Sequence, residues 1–239
     1  MKLTNQSFVL LGLFFVSLFA CTTRERVTDP KGSQPLVRLS EGDYLSSTYV
    51  ETLKRTRSPF EAGKTGRINR VVVHRKGSKL LLEPIFSFHE SGVVFAIHDD
   101  GAASCLESCG EDTRNLTASV VDELTFRLGF GELEPVTYVF VNNASEYVSR
   151  AALVGKYYDR QRRTYEFSQD GWAVFPDRRF RFEIGVDHVL NGFDYFMDST
   201  TMWAFKRNRN ELQIFATSDV DGPEQIRPGP PYLSLREVR

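Results

Sequence analysis

Alternating apolar and polar residues are the main pattern of the chain after its first forty positions. The alternation is clearest at residues 179–186, where Phe180, Phe182 and Ile184 fall on one side and charged residues on the other. A period of two residues is typical of a half-buried β-strand. Shorter runs of strand-forming residues recur at 70–75, 79–88, 92–98, 123–128, 136–141, 154–158, 164–167, 171–175, 201–207 and 212–215. The pattern therefore predicts ten or more strands.

Short turn segments between these runs predict antiparallel hairpins. Gly77 and Ser78 separate two runs near the start, and residues 208–210 (NRN) separate two runs near the end. Two strand-like runs joined by so few turn-forming residues are typical of a hairpin. Because a closed barrel removes the exposed edges of such a sheet, we expect the strands to form a single antiparallel barrel. The fold class is mainly β.

Two segments have a helical pattern instead. Residues 46–56 place Tyr49, Val50 and Leu53 on one side, with serine or threonine available as a cap and Pro59 just beyond. Residues 142–152 have the composition of a second short helix. We therefore expect one or two short helices beside the barrel.

The N-terminal segment has a different pattern. Residues 8–20 are almost entirely apolar, and one positive charge, Lys2, precedes them. This arrangement is typical of an export signal and is shorter than the roughly 20 apolar residues of a spanning helix. The segment ends in Leu18-Phe19-Ala20-Cys21. Cys21 is therefore either incidental to an ordinary signal peptide or the first residue of the mature protein.

The sequence Leu18-Phe19-Ala20-Cys21 resembles the lipobox of bacterial lipoproteins. The resemblance implies that the signal is cut before Cys21, that the Cys21 thiol is diacylated and that the new N-terminus is acylated. Several acyl chains are sufficient for stable membrane anchoring, whereas one chain is marginal. Thr22 rather than aspartate follows the cysteine, which by resemblance to enterobacterial sorting implies the outer membrane.

These features divide the chain into three parts. We predict a signal peptide at residues 1–20, a lipidated N-terminus with a flexible linker at 21–39, and one domain at 40–239. The linker mixes charges with threonine, serine, glycine and two prolines, so it has too few apolar residues to form a core.

The charge balance excludes one class of partner. Loss of Lys2 with the signal leaves 29 of the 30 basic residues beside 31 acidic ones. A protein that mainly binds nucleic acid carries a basic excess. The expected partners are instead the membrane, through the acyl chains, and a hydrophobic small molecule, while a protein partner is unknown.

Two cysteines remain in the domain, at Cys105 and Cys109. Export to an oxidising compartment permits a disulfide between them, although so short a loop stabilises little. Free thiols and a metal site are the alternatives, and paired zinc-ligand spacing is absent from the sequence.

Catalytic motifs are absent from the sequence. The four histidines are scattered, and none falls in HExxH or a comparable zinc motif. The chain has no GxSxG, P-loop or GxGxxG motif. We therefore predict a protein that is not an enzyme, with no catalytic residues, no metal site and no cofactor. The basic clusters at Arg160, Arg162 and Arg163 and at Lys206, Arg207 and Arg209 are interpreted as solvated turns or as contacts to anionic lipid head groups.

A second resemblance concerns the domain. Gly155-Lys-Tyr157, Tyr165-Glu-Phe167, Gly171-Trp172 and Trp203-Ala-Phe205 resemble strand signatures of small bacterial lipocalin-like proteins, and Gly42-Asp-Tyr44 is a second Gly-x-aromatic element. The resemblance implies a meandering barrel whose interior can hold an apolar or amphipathic ligand. On this basis Trp172 and Trp203 are the candidate pocket residues; core packing is their alternative role.

Two functions follow from the sequence. The first is an envelope-anchored, non-enzymatic lipoprotein that binds a small apolar or amphipathic molecule inside a β-barrel. The second is a packed barrel that serves as a structural or protein-interaction module of the bacterial envelope. A lumen of roughly 300 Å³ or more favours the first, and a lumen filled by aromatic side chains favours the second.

Overall fold

The structure is a computed structural model that describes residues 39–86, 93–98, 102–107, 116–130, 134–185, 192–208, 210–217 and 228–238. The described strands form two antiparallel sheets with three short helices. The helices are α1 (Ser47–Thr56), α2 (Pro59–Gly63) and α3 (Ala144–Ala152).

The first sheet has eight described strands. They are β1 (Gly42–Ser46), β2 (Ile68–Lys76), β3 (Lys79–Phe86), β4 (Val94–Ile97), β5 (Ala103–Glu107), β6 (Leu116–Asp122), β7 (Thr125–Phe130) and β8 (Val136–Asn142). Their order is β5-β4-β3-β2-β1-β8-β7-β6, so consecutive strands pair except β5 with β6, and β1 also pairs with β8. A single bridge between Ala102 and Thr117 joins the two ends of this order. The sheet is therefore nearly closed and barrel-like.

The second sheet has nine described strands. They are β9 (Gly155–Tyr158), β10 (Thr164–Phe167), β11 (Trp172–Val174), β12 (Arg179–Arg181), β13 (Glu183–Gly185), β14 (Asp194–Met197), β15 (Met202–Asn208), β16 (Glu211–Thr217) and β17 (Pro228–Glu237). Their order is β12-β11-β10-β9-β17-β16-β15-β14-β13. Only Phe182 separates β12 from β13 in the chain, although these strands lie at opposite ends of the order. The sheet must therefore curve round until its two ends meet.

Two adjacent strands, β1 and β8, contribute to both hydrophobic cores. Neighbouring residues of a strand point to opposite faces of the sheet. Tyr44 of β1 accordingly lies in the core of the first sheet, while Leu45 lies in the core of the second sheet together with α1 and α3. Both side chains are fully buried. The outer face of β1 and the two helices therefore cover part of the second core.

The helices begin and end as their sequences predict. The Ser46 hydroxyl caps α1 by accepting a hydrogen bond from the Tyr49 N–H, and the Asn143 side chain caps α3 through the Glu146 N–H. These caps satisfy donors that have no partner inside the helix. The predicted helices at 46–56 and 142–152 are thus confirmed, and α2, which begins at Pro59, is an addition.

The mainly β fold is confirmed, but a single barrel of ten or more strands is not. The strands divide between two sheets because Asn143, α3 and Leu153 intervene after β8, and β9 then begins a second meander. The predicted strand at 179–186 alternates as expected, with Phe182 and Ile184 buried. It is broken at Phe182, whose N–H donates to the Gly171 carbonyl.

Candidate functional site

Two of the predicted site residues, Cys21 and Cys109, lie outside the described residues. Cys105 lies on β5, is half-buried and is disulfide-bonded. Its pairing with Cys109 stays a prediction.

The two tryptophans lie in different surroundings. Trp203 belongs to the core of the second sheet and is 9% exposed. Its indole N–H donates to Asp198 at 3.0 Å, and its ring centre lies 5.4 Å from that of Tyr232. Trp172 is half-buried and stacks against two guanidinium groups, with Arg179 at 4.3 Å and Arg181 at 5.3 Å from the ring centre. The described contacts thus do not bring the two indoles to one pocket.

Aromatic rings fill the core of the second sheet. Phe167 is 1% exposed, and its ring lies edge-on to four others at centre distances of 5.2–5.9 Å. These four rings are Tyr157, Phe175, Phe182 and Phe196. Edge-to-face contacts at such distances are favourable beyond the burial of area alone.

An ionic cluster built around a buried arginine lies beside this core. The Arg207 side chain is 0% exposed, and its Nη2 lies 2.6 Å from Glu237 Oε2. Arg57 Nη1 donates to both oxygens of Glu237 at 2.8 Å, and Arg57 Nε donates to the Ala151 carbonyl. Arg207 Nη1 also donates to the Tyr157 hydroxyl, which in turn donates to the Leu153 carbonyl. The cluster joins α1, α3, β9, β15 and β17.

Electrostatics within this cluster follow from burial and pairing. Burial raises the pKa of Glu237, but hydrogen bonds and charge from Arg57 and Arg207 outweigh it, so the pKa lies below its ordinary value. Burial raises the pKa of Tyr157 despite the neighbouring Arg207. The cluster therefore holds an ionised carboxylate beside a neutral phenol.

Sequence reasoning placed Arg207 in a solvated turn, and its burial was missed. The signal was the alternation of β15, because Trp203, Phe205 and Arg207 are two residues apart and share the face that forms the core. Arg163 is exposed, as the interpretation as a turn residue expects, and its Nε also donates to the buried Asp159 carboxylate at 2.7 Å.

A groove with a mostly polar lining lies where β9, β17 and β16 run side by side. It has two adjoining lobes of about 560 and 510 Å³, both lined by Tyr158, Glu211 and Arg236. Asn208 and Asn210 line the larger lobe, and the smaller lobe adds charged residues of the β9–β10 turn. None of the ring residues around Phe167 lines either lobe.

Among the described residues, no three His, Cys, Asp or Glu side chains form a group suited to a metal ion. None of the described helices has the length and apolar character required to cross a bilayer. Comparison with protein-family models, with curated protein sequences and with solved structures finds no match to this chain.

Proposed function

We propose that this protein is a lipid-anchored protein of the bacterial envelope whose packed double-sheet domain acts through its outer surface. Packing of the second core is the observation that carries this proposal. Phe167 and its four neighbouring rings occupy the space that a carrier would keep for an apolar ligand.

The position of the described grooves supports the same function. Charged and amide side chains make up most of the lining of both lobes, and no described ring of the second core takes part in it. Sites for apolar molecules are lined mainly by hydrophobic and aromatic side chains. A surface of this kind suits a polar ligand or another protein better than it suits a fatty acid.

Titration with amphiphiles tests the choice between surface module and carrier. Trp203 reports on the core, so we expect its emission to stay unchanged when the delipidated full-length chain is titrated with palmitic acid and with lysophospholipid. Trp203→Phe serves as the control, since it removes the core reporter and leaves Trp172. A saturable emission change that Trp203→Phe abolishes would overturn the surface module in favour of a carrier.

Anchoring is the second part of the proposal, and it rests on the lipobox resemblance at Cys21. Cells that express the full-length chain are grown with a palmitate analogue, and the membrane fraction is separated. We expect Cys21→Ser to abolish labelling and to reduce the membrane-bound fraction, while Cys105→Ser leaves both unchanged. Labelling that persists in Cys21→Ser would contradict lipid attachment at this cysteine.

A further inference from the structure

The turn between β9 and β10 is held in one shape by a buried carboxylate. Asp159 is 8% exposed and accepts hydrogen bonds from the backbone N–H groups of Gln161 and Arg163 and from Arg163 Nε. The Tyr165 hydroxyl donates to the same carboxylate at 3.2 Å. Burial raises the pKa of Asp159, yet the hydrogen bonds from Arg163 and Gln161 and the charge of Arg163 bring it below its ordinary value. The turn is therefore preorganised around an ionised Asp159.

This turn places two exposed arginines at the smaller lobe of the groove. Arg160 and Arg162 both line that lobe. Arg162 adopts a left-handed backbone conformation (φ 64°), and its guanidinium lies 5.1 Å from the centre of the Tyr158 ring. A stacked guanidinium keeps its N–H donors free at its edge.

Strand pairing places a third arginine beside them. Arg236 of β17 lies directly opposite Tyr158 on one side and opposite Glu211 on the other. Side chains at paired positions lie on the same face of a sheet, about 4.5–5.5 Å apart at Cβ. A row of side chains therefore crosses three adjacent strands, from Tyr158 through Arg236 to Glu211. Both lobes of the groove include this row.

The groove has an excess of positive charge. Two of its carboxylates are already neutralised, because Asp159 pairs with Arg163 and Glu237 pairs with Arg57 and Arg207. In the part of the chain that the structure describes, no carboxylate lies within ion-pair distance of Arg160, Arg162 or Arg236. Glu211 is the remaining acid of the groove, against three arginines.

The two lobes differ in chemistry. The smaller lobe, with its guanidinium donors, suits a phosphate, because guanidinium groups form strong charge-assisted bonds to phosphate oxygens. The larger lobe presents Asn208, Asn210 and the Glu211 carboxylate, which can donate to and accept from hydroxyl groups. A ligand that spans both lobes carries a phosphate at one end and hydroxyls at the other.

We propose that this groove binds a phosphorylated polyol or sugar, with the phosphate on Arg160, Arg162 and Arg236 and the hydroxyls at Asn208, Asn210 and Glu211. This inference rests on the proposed surface function and names its ligand chemistry. The same chemistry occurs in the headgroup of a lipid such as phosphatidylglycerol and in a soluble sugar phosphate.

Calorimetric titration of the purified full-length chain tests the soluble source. The probes are glycerol 3-phosphate, glucose 6-phosphate, glucose and inorganic phosphate. We expect at least one phosphorylated polyol to bind about tenfold more tightly than inorganic phosphate, and glucose to show no measurable binding. The variant Arg160→Gln/Arg162→Gln/Arg236→Gln should weaken this binding at least about tenfold, as the loss of charged hydrogen bonds predicts.

A charge-matched control separates a site from general attraction. Lys54→Gln/Arg55→Gln/Arg127→Gln removes three exposed charges elsewhere, on α1 and β7, and should bind like the wild type. Glu211→Gln should tighten inorganic phosphate and reduce the preference for the polyol, since it removes a repelling charge and a hydroxyl acceptor. Unfolding midpoints of all variants establish that each is folded.

Vesicle flotation tests the lipid source with the same variants. All variants carry the same N-terminal anchor. The difference in vesicle binding between the triple-arginine groove variant and the charge-matched control therefore measures what the groove itself contributes. Loss of binding to phosphatidylglycerol vesicles but not to phosphatidylcholine vesicles in the groove variant indicates a lipid headgroup. Equal binding of all probes, or equal losses in the groove variant and the control, would overturn the proposal. Neither result would affect the packed core, which the amphiphile titration tests separately.

Discussion

Both sheets begin on a Gly-x-Tyr strand: Gly42 and Tyr44 open the first, and Gly155 and Tyr157 open the second. In each case the tyrosine hydroxyl donates to the carbonyl four residues earlier, of Ser40 or of Leu153. Both glycines have positive φ, 134° and 156°. A Cβ at Gly42 would lie 3.0 Å from the Phe140 ring, and one at Gly155 would lie 3.3 Å from Glu237 Oε1. The same local sequence thus allows a close approach in both places.

The sheets differ in how they close and in what stabilises them. One bridge, Ala102 to Thr117, joins the ends of the first sheet, whereas Phe182 joins the ends of the second through the chain itself. The second sheet also holds the buried Arg207 side chain, which pairs with the half-buried Glu237 beside Tyr157. A continuous chain and an ion pair to a buried arginine restrict relaxation, so we expect the second sheet to tolerate substitution less well.

Truncation of a central ring should have the largest effect. Phe167→Ala removes edge-on contacts to four rings, so we expect the free energy of unfolding to fall by about 4 kcal/mol. Urea unfolding followed by tryptophan emission reports on the second sheet, since both tryptophans lie there. Val174→Ala, an exposed residue on β11, is the control and should change stability by about 0.5 kcal/mol or less. A loss below about 1 kcal/mol for Phe167→Ala would mean that the second core is loosely filled.

Loss of the Glu237 charge, which pairs with the buried Arg207, should have the second-largest effect on stability. Glu237→Gln leaves Arg207 buried without its counter-charge, and we expect a loss of about 3 kcal/mol. Asp43→Asn in the first sheet should cost less, about 1 kcal/mol, because its partner Arg70 is 26% exposed and can reach water. Adding Arg207→Met to Glu237→Gln should recover most of the loss in urea unfolding. Equal losses at the two sites would refute the distinction between the sheets.

The two corresponding tyrosines, one at the start of each sheet, give a matched comparison with a smaller expected loss of stability. Tyr157→Phe removes a hydroxyl that both accepts from Arg207 and donates to Leu153, and we expect a loss of about 2 kcal/mol. Tyr44→Phe removes donation to Ser40, and about 1 kcal/mol is expected. Circular dichroism follows both transitions, because the first sheet has no tryptophan. A larger loss for Tyr44→Phe would reverse the predicted order.

Two buried aspartates provide the last comparison, which is measured as a slope of stability with pH and not as a single loss. Asp43 Oδ2 accepts from the Ala144 N–H at the start of α3, and Asp194 Oδ1 accepts from the Phe60 N–H of α2. Asp43 is paired with Arg70, whereas burial raises the pKa of Asp194 from 3.8 to about 7. Nearby Glu61 raises this pKa further, and Lys64 lowers it.

The sign of the pH effect follows from proton binding. Between pH 4 and 7 the folded state holds a proton on Asp194 that the unfolded state has lost, so stability falls as pH rises, by at most about 1.4 kcal/mol per unit. Asp194→Asn should flatten this slope in urea unfolding at successive pH values, and Asp43→Asn should leave it in place. A slope that survives in Asp194→Asn would assign the effect to another group.

Local pattern was sufficient for much of the secondary structure. The caps of α1 and α3, the β2–β3 and β15–β16 hairpins and the burial of Phe182 and Ile184 all follow from residues close together in sequence. The period of two also puts Arg207 on the face of Trp203 and Phe205, although its charge led the sequence analysis to assign it to a solvated turn. Such features depend on backbone geometry and on short turns, which a few neighbouring residues determine.

Tertiary structure alone decided how the strands divide and which charges are buried. A chain of hairpins has the same local pattern whether it forms one sheet or two. Only the long-range pairing of β1 with β8 and of β9 with β17 assigns the strands to two separate sheets. Likewise, Glu237 meets Arg57 across 180 positions of the chain. The groove depends on the same pairing, because Arg236 lies between Tyr158 and Glu211 only when the distant strand β9 joins the β16–β17 pair. Local sequence carries no information on such contacts, since they form only when the whole sheet closes.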